Sequence, residues 1–250
     1  MIRITYVGHA TVQIESGGTR LLTDPVLRSR VAHLRRIVPA PEPDDLRQPD
    51  TVLISHAHLD HLDPPSLRLL GACPAIAPRG CGGLLRRAGL RDVTEAIPGE
   101  RLRVGTTEVS AVLVEHDGRR HPLSRARETL AYVVSGSERV FFAGDTDVFD
   151  AMADVAGGLD LALLPIWGWG PRVGRGHMDP ERAARAAALL DPRVAIPIHW
   201  GTLASPRAPW LSDPERPARA FVERVAALAP GVDVRVLPAG GRAEIGPASS

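Results

Sequence analysis

Short apolar blocks and apolar–polar alternation run through most of the chain, broken at intervals by Gly, Pro and Asp. Residues 2–7, 11–15 and 20–23 read as strands, the last two joined at Gly17-Gly18, a hairpin signal. Residues 51–55 form a continuously apolar strand of the buried kind. Short helices are expected at 64–70 and 83–88, and strands return at 93–96, 102–104 and 108–115. After a polar, Arg-rich loop at 117–128 come strands at 130–135 and 139–143, a helix at 148–156 and a strand at 159–164. A Gly- and Trp-rich loop covers 165–177. Asp179-Pro180-Glu181 then opens a helix running to Leu190: Asp caps, Pro suits the first helical position, and Glu complements the dipole. A strand at 193–198, a second Asp-Pro-Glu helix start at 213 running to Ala229, and strands at 232–237 and 243–245 complete the pattern.

Strands come in clusters and helices follow each cluster, which predicts sheets with helices on their outer faces rather than strictly alternating βαβ units. The two halves repeat this order, a hint of internal duplication. No linker or composition break divides the chain, so residues 1–250 are read as one domain.

Hydrophobic residues make up 44% and charged residues 24%, the balance of a globular protein and not of a disordered one. The 30 basic residues are all Arg and face 29 acids, so a domain-wide electrostatic footprint for nucleic acid is absent. No apolar run approaches the ~20 residues of a membrane span, and the start of the chain has no signal-peptide core. Cys73 and Cys81 are too few for a disulfide framework and read as buried apolar residues of a cytoplasmic, reduced protein.

The chemistry concentrates at Ser55-His56-Ala57-His58-Leu59-Asp60-His61, directly after the apolar strand. On an extended backbone His56 and His58 point to one side and can grip one cation. Asp60 and His61 follow at the turn and can face a second. Three further apolar strands stop at a potential ligand: His116, Asp145 (within Gly144-Asp145-Thr146) and His199. Imidazole and carboxylate together suit Zn²⁺, with Mn²⁺ or Fe as alternatives.

In these motifs the chain resembles the metallo-β-lactamase superfamily, in the family's order and over nearly the whole length. Gly8-His9-Ala10, Thr23-Asp24-Pro25, His177-Met178-Asp179-Pro180-Glu181 and Ile198-His199-Trp200-Gly201-Thr202 narrow the resemblance. They look like the branch containing N-acyl-phosphatidylethanolamine phospholipase D, with L-ascorbate-6-phosphate lactonase nearby. The resemblance implies an αββα sandwich, two mixed sheets with helices outside, and a two-metal site on one edge. It assigns His56, His58 and His116 to one ion, Asp60, His61 and His199 to the other, and Asp145 to both. Two Zn²⁺ would then generate a metal-bound hydroxide. Asp60 and His177 are the candidate catalytic residues, His177 lying in the pocket outside the metal shell. His9 and Asp24 are expected to support the ligands from behind.

Trp167 and Trp169, flanking Gly168 ahead of His177, are candidate substrate-binding residues, as wall or lid. Trp200 fits core packing as well. Arg119, Arg120, Arg125 and Arg127 follow His116 and either meet an anionic substrate or are solvated; His33 and His121 read as surface residues. The expected function is hydrolysis of a phosphodiester or related ester of a small molecule or lipid, without stable membrane insertion. The alternatives are a lactonase or carboxylic-ester hydrolase, a nucleic-acid-processing relative and a non-catalytic metal-binding protein.

Overall fold

The computed structural model describes residues 1–41, 46, 48–120, 124, 126–170, 172–206 and 212–247. Three antiparallel strands open the chain: β1 (Ile2–Gly8), β2 (Thr11–Ser16) and β3 (Thr19–Thr23). The hairpin signal holds: Gly17 and Gly18 turn the chain between β2 and β3 at φ +56° and +83°, where a side chain is strained. After β4 (Arg30–Val31) and β5 (Leu34–Arg36), β6 (Thr51–Leu53) returns parallel to β3. Then α1 (Pro64–Leu70), β7 (Ala75–Pro78), α2 (Gly82–Arg87) and β8 (Val93–Ala96) extend the sheet in parallel.

The second half repeats the plan. β9 (Arg101–Val104), β10 (Thr107–Leu113), β11 (Leu130–Ser135) and β12 (Arg139–Phe142) form an antiparallel meander. Then α3 (Met152–Val155), β13 (Leu161–Pro165), α4 (Pro180–Leu190), β14 (Val194–Ile198), β15 (Leu203–Ala204), α5 (Arg216–Leu228) and β16 (Asp233–Val234) follow, with β13, β14 and β16 parallel to β12. The last strand, β17 (Gly241–Ile245), crosses back to pair with β1. Two seven-stranded sheets result, ordered β17-β1-β2-β3-β6-β7-β8 and β16-β14-β13-β12-β11-β10-β9, with a small third sheet β15-β5-β4.

The sheets pack face to face. Ile2, Ile4, Tyr6, Ile14 and Leu53 of one meet Leu130, Tyr132, Val134, Phe142, Leu163 and Ile196 of the other. The alternate residues Ala131, Val133 and Phe141 of the second sheet turn outward onto the cluster that holds Ala183, Ala187 and Leu190 of α4 and Phe221 and Val225 of α5. Val52 and Ile54 turn outward into the cluster with Leu67 of α1 and Leu85 of α2. Strands covered on both faces must be apolar throughout, which is why 130–135 and 194–198 read as unbroken apolar runs. The α4 start is as expected: Asp179 accepts a hydrogen bond from Arg182 N at 2.9 Å, and Pro180 takes the first position.

The expected helix at 148–156 shortens to Met152–Val155, and the expected strand at 232–237 pairs only at Asp233–Val234. β7 and the small third sheet are absent from the sequence expectation. Among the described residues, no helix is long and apolar enough to cross a membrane.

Candidate metal centre

His9 follows β1, the histidine cluster follows β6, His116 follows β10, Asp145 follows β12 and His199 follows β14, all at one edge of the sandwich. Among the described residues, three overlapping groups of donors form there, the smallest of them Asp24, His56 and His61. His56, His58, His116 and Asp145 each offer a ligand atom within 4.8 Å of the others, and so do His9, Asp60, His61 and His199. Asp145 faces both of these larger groups: its Oδ2 is 3.1 Å from His61 Nε2 and 4.0 Å from His56 Nε2, and its Oδ1 is 3.3 Å from His199 Nε2.

Most of the rings are held from behind. His116 Nδ1 donates to the Gly176 carbonyl at 2.8 Å, His199 Nδ1 to the Trp167 carbonyl at 3.1 Å, and His61 Nδ1 to Asp24 Oδ2 at 2.7 Å. With Nδ1 as donor, Nε2 carries the lone pair and points inward, as a metal ligand must. The 165–177 loop thus supplies a backbone carbonyl to one histidine of each group. His9 Nε2 lies 3.0 Å from Asp60 Oδ2 and holds that carboxylate, while the His9 ring packs on His199 with centroids 3.9 Å apart. Asp24, fully buried, accepts from Ser55 N and Ser55 Oγ as well as from His61.

The electrostatics suit cations. Burial pushes His9 down to about 3 and His116 to about 4, and lowers His56 well below the usual imidazole range, so these rings are neutral at pH 7. Burial also acts on Asp60 and Asp145, but the surrounding imidazoles outweigh it and hold both well below the usual carboxylate range. For His61 burial is outweighed in the other direction: Asp145, Asp24 and Asp60 raise it well above its ordinary value. A proton on His61 occupies the position that a cation would fill. His56 Nε2 and Asp145 Oδ1 are buried with no hydrogen-bond partner. A cation satisfies such orphaned acceptors, so the donor set fits a metal pair.

His177 Nε2 approaches Asp145 Oδ2 at 3.2 Å, its side chain one quarter exposed, while its Nδ1 donates to the Arg175 carbonyl. Trp167 donates from Nε1 to the Gly170 carbonyl and packs against the outer cluster of the second sheet. Trp169 packs on Val26, Val31, Leu34 and Leu203 and meets His33 edge-on. Between them, a Cβ on Gly168 would sit 3.8 Å from the His199 ring. The two tryptophans therefore anchor the loop on separate apolar clusters, with Gly168 between them against His199. Trp200 is a core residue, its Nε1 donating to the Pro197 carbonyl.

The Arg-rich loop is largely committed elsewhere. Arg120 donates to the carbonyls of Ala57 at 2.6 Å and Leu62 at 3.0 Å, which pins the backbone of the histidine cluster. Arg127 donates to the Gly80 carbonyl, and Arg119 is exposed beside Asp117. Arg125 and His121 lie outside the described residues. Ser55 and Arg120 are site-building residues that sequence reasoning missed. A serine at the buried end of an apolar strand was the available signal for the first; the second stands out in the sequence with its loop, for a substrate or for solvent, not for the backbone it holds.

Comparison with known proteins agrees with this geometry. A family model described as the beta-lactamase superfamily domain matches residues 19–200. The UPF0173 metal-dependent hydrolase of Methanopyrus kandleri is 32% identical over 250 residues, spanning 96% of this chain and 98% of its own. Igni18, a novel metallo hydrolase from Ignicoccus hospitalis, shares the fold with a TM-score of 0.75 at 22% identity, over 97% of both chains. CmlA, a diiron beta-hydroxylase from Streptomyces venezuelae, shares it with a TM-score of 0.71 at 23% identity, over 97% of this chain and 53% of its own. With its two-sheet fold and its paired His and Asp donors, this chain belongs to the metallo-β-lactamase superfamily, within the UPF0173 family of metal-dependent hydrolases.

Proposed function

We propose that the chain hydrolyses a phosphodiester or a related ester of a small or lipid-derived molecule at a two-metal centre. The observation that carries this reading is Asp145, one carboxylate with imidazoles of both donor groups around it. In this reading His56, His58 and His116 hold one ion, Asp60, His61 and His199 the other, and Asp145 both. A metal pair supplies a water that ionises near neutral pH and a positive field for charge building on the substrate. Zinc suits the donor set; manganese and iron suit it too, and the diiron neighbour makes iron worth testing.

The chain's own groups orient and donate. His9 steadies Asp60, and Asp24 steadies His61. Burial alone would lower His177, but the Asp145 carboxylate beside it outweighs this and raises it above the ordinary imidazole value. The doubly protonated ring, fixed through Nδ1–H on the Arg175 carbonyl, presents Nε2–H where an oxyanion of the substrate forms. The Trp167-Gly168-Trp169 segment walls the His199 side. The resemblance to N-acyl-phosphatidylethanolamine phospholipase D supports a phosphorus ester, whereas that to L-ascorbate-6-phosphate lactonase supports a lactone. The near balance of 30 basic and 29 acidic residues argues against nucleic acid as substrate.

One observation favours a second reading, a lactone or carboxylic ester. Arg120 and Arg127 are spent on backbone carbonyls, leaving fewer cations for a phosphate. The interior shared by the two sheets supports residues 1–250 acting as one unit, and the two free cysteines are consistent with a reducing, cytoplasmic setting. A hydrolysis panel with zinc-, manganese- and iron-loaded protein tests the function: phosphodiesters, lactones, aryl esters and lipid analogues. A lactone cleaved far faster than every phosphodiester selects the second reading, and no turnover with any metal rejects both.

A further inference from the structure

Ser55 precedes the histidine cluster, and its side chain is fully buried. Its Oγ lies 2.5 Å from Asp24 Oδ2 and 2.9 Å from His56 Nδ1. A hydroxyl has one proton to give. Asp24 Oδ2, nearer than the ring and already the acceptor for His61 Nδ1, takes it. The contact with His56 is then a hydrogen bond only if His56 Nδ1 carries the ring proton and Ser55 Oγ accepts. That leaves the lone pair on His56 Nε2, and Nε2 is the buried nitrogen with no partner.

The same Asp24 Oδ2 accepts from His61 Nδ1 at 2.7 Å, while Asp24 Oδ1 accepts from Ser55 N at 2.7 Å. Gly144 closes the far side: a Cβ there would stand 2.5 Å from Ser55 Cβ and 2.9 Å from Ser55 Oγ. The serine therefore has backbone against it on one side and the Asp24 carboxyl on the other, with little room to turn.

We propose that Ser55 is a positioning residue whose hydroxyl relays the Asp24 carboxyl to His56, so that one buried acid sets the tautomer of one histidine in each metal group. Asp24 acts on His61 directly and on His56 through Ser55. The two metal positions are thereby tied to a common support behind the site. The proposal rests on the two-metal reading for its division of affinities, and on hydrogen-bond geometry alone for the tautomer.

Two measurements test it. Long-range ¹H–¹⁵N correlation spectra of metal-free wild-type protein should show His56 as the Nδ1–H tautomer. The Nε2–H form would overturn the relay without any variant having to fold. Titration of Ser55→Ala with Zn²⁺ against a competing chelator should show affinity at one position down by 10- to 100-fold, the usual cost of losing an outer partner of a ligand. Affinity at the other, where His61 still meets Asp24, should stay within about threefold of wild type. Unchanged affinities at both positions, or equal losses at both, would overturn the proposal. Wild type that takes up a single ion would sink the two-metal reading, and the tautomer measurement still decides the role of Ser55.

Discussion

Gly144 joins β12 to Asp145, and replacing it with alanine tests how closely the two sheets must approach behind the His and Asp donors. Its φ is +61°, a conformation that costs a residue with a Cβ roughly 1–2 kcal/mol. The added Cβ would stand 2.5 Å from Ser55 Cβ, more than 1 Å inside ordinary carbon contact at about 3.5–4.0 Å. Neither atom can swing aside, since a Cβ moves only with its backbone. Forced overpacking of this kind costs roughly 1–3 kcal/mol. Gly144→Ala should therefore destabilise by about 2–5 kcal/mol in all, a large share of the about 5–15 kcal/mol that holds a domain together. Gly201 is the matched control: the same φ of +61°, but only an ordinary contact, 3.6 Å to the Pro214 carbonyl. Gly201→Ala should cost the backbone part alone, about 1–2 kcal/mol. Denaturant unfolding of both metal-free variants beside wild type gives the comparison, and elemental analysis after reconstitution shows whether Asp145 has been displaced. Gly144→Ala within about 0.5 kcal/mol of Gly201→Ala would refute the crowding argument, because that is the scatter between unremarkable surface substitutions.

His177→Ala should keep both metals by elemental analysis while turnover falls on the order of 100-fold, the usual cost of one oxyanion donor; loss of a metal would make it a ligand instead. Because the Trp167 and Gly176 carbonyls each hold a metal-facing histidine, metal loading should slow tryptic cleavage at Arg172 and Arg175 relative to chelator-treated protein. Equal rates with and without metal would show that the loop is not coupled to the centre. Burial pushes the Cys73 thiol up to about 11 and Cys81 up to about 12. Both therefore keep a proton in the folded state where the unfolded thiols ionise. Their contribution to stability is complete below the unfolded value near 9 and is lost as pH rises through the folded values. Neither thiol should react with a disulfide reagent at pH 8 until the protein is unfolded, and rapid labelling of the native chain would contradict this burial.

The site was legible because each candidate ligand interrupts an apolar strand at its end. A buried strand tolerates no His or Asp in its body, so Asp145 and His199 stood out against runs that the fold buries on both faces, while His116 follows β10, whose positions alternate between buried and partly buried. The start of α4 was legible for a local reason as well, since Asp179 caps the helix through its own side chain. β7 was not: Ala75–Pro78 is four residues long and ends in proline, and its place between β6 and β8 is decided by partners distant in sequence. The third sheet has strands of two or three residues, too short for any period to show. The supports of His116 and His199 are backbone carbonyls of Gly176 and Trp167, and a main-chain acceptor leaves no mark on the residue pattern. Arg120 read as either a substrate-facing or a solvated loop residue because its target, the backbone of the histidine cluster, is fixed only by the fold.

Backbone strain follows the same edge. Among the described residues, six that are not glycine adopt positive φ, and three of them, His9 at +58°, Asp24 at +34° and His199 at +62°, belong to this site. Each stands where a strand ends and the chain must turn at once to aim its side chain inward. Such turns cost of order 1–3 kcal/mol each and persist only where neighbours over-determine them. Here the neighbours are visible: His9 N donates to Thr202 Oγ1 at 2.8 Å, His199 N to the His9 carbonyl at 2.8 Å, and Asp24 N to the Leu53 carbonyl at 2.9 Å. These bonds tie the end of β1 to the end of β14, across the two sheets, and the end of β3 to β6 within the first sheet. The ligand groups are mixed in the same way, His56 and His58 coming from the first sheet and His116 and Asp145 from the second. The relative placement of the sheets, set by the apolar interior between them, is therefore also the distance across which the donors must meet. A change that shifts one sheet against the other disturbs the spacing of these donors even when it touches none of them.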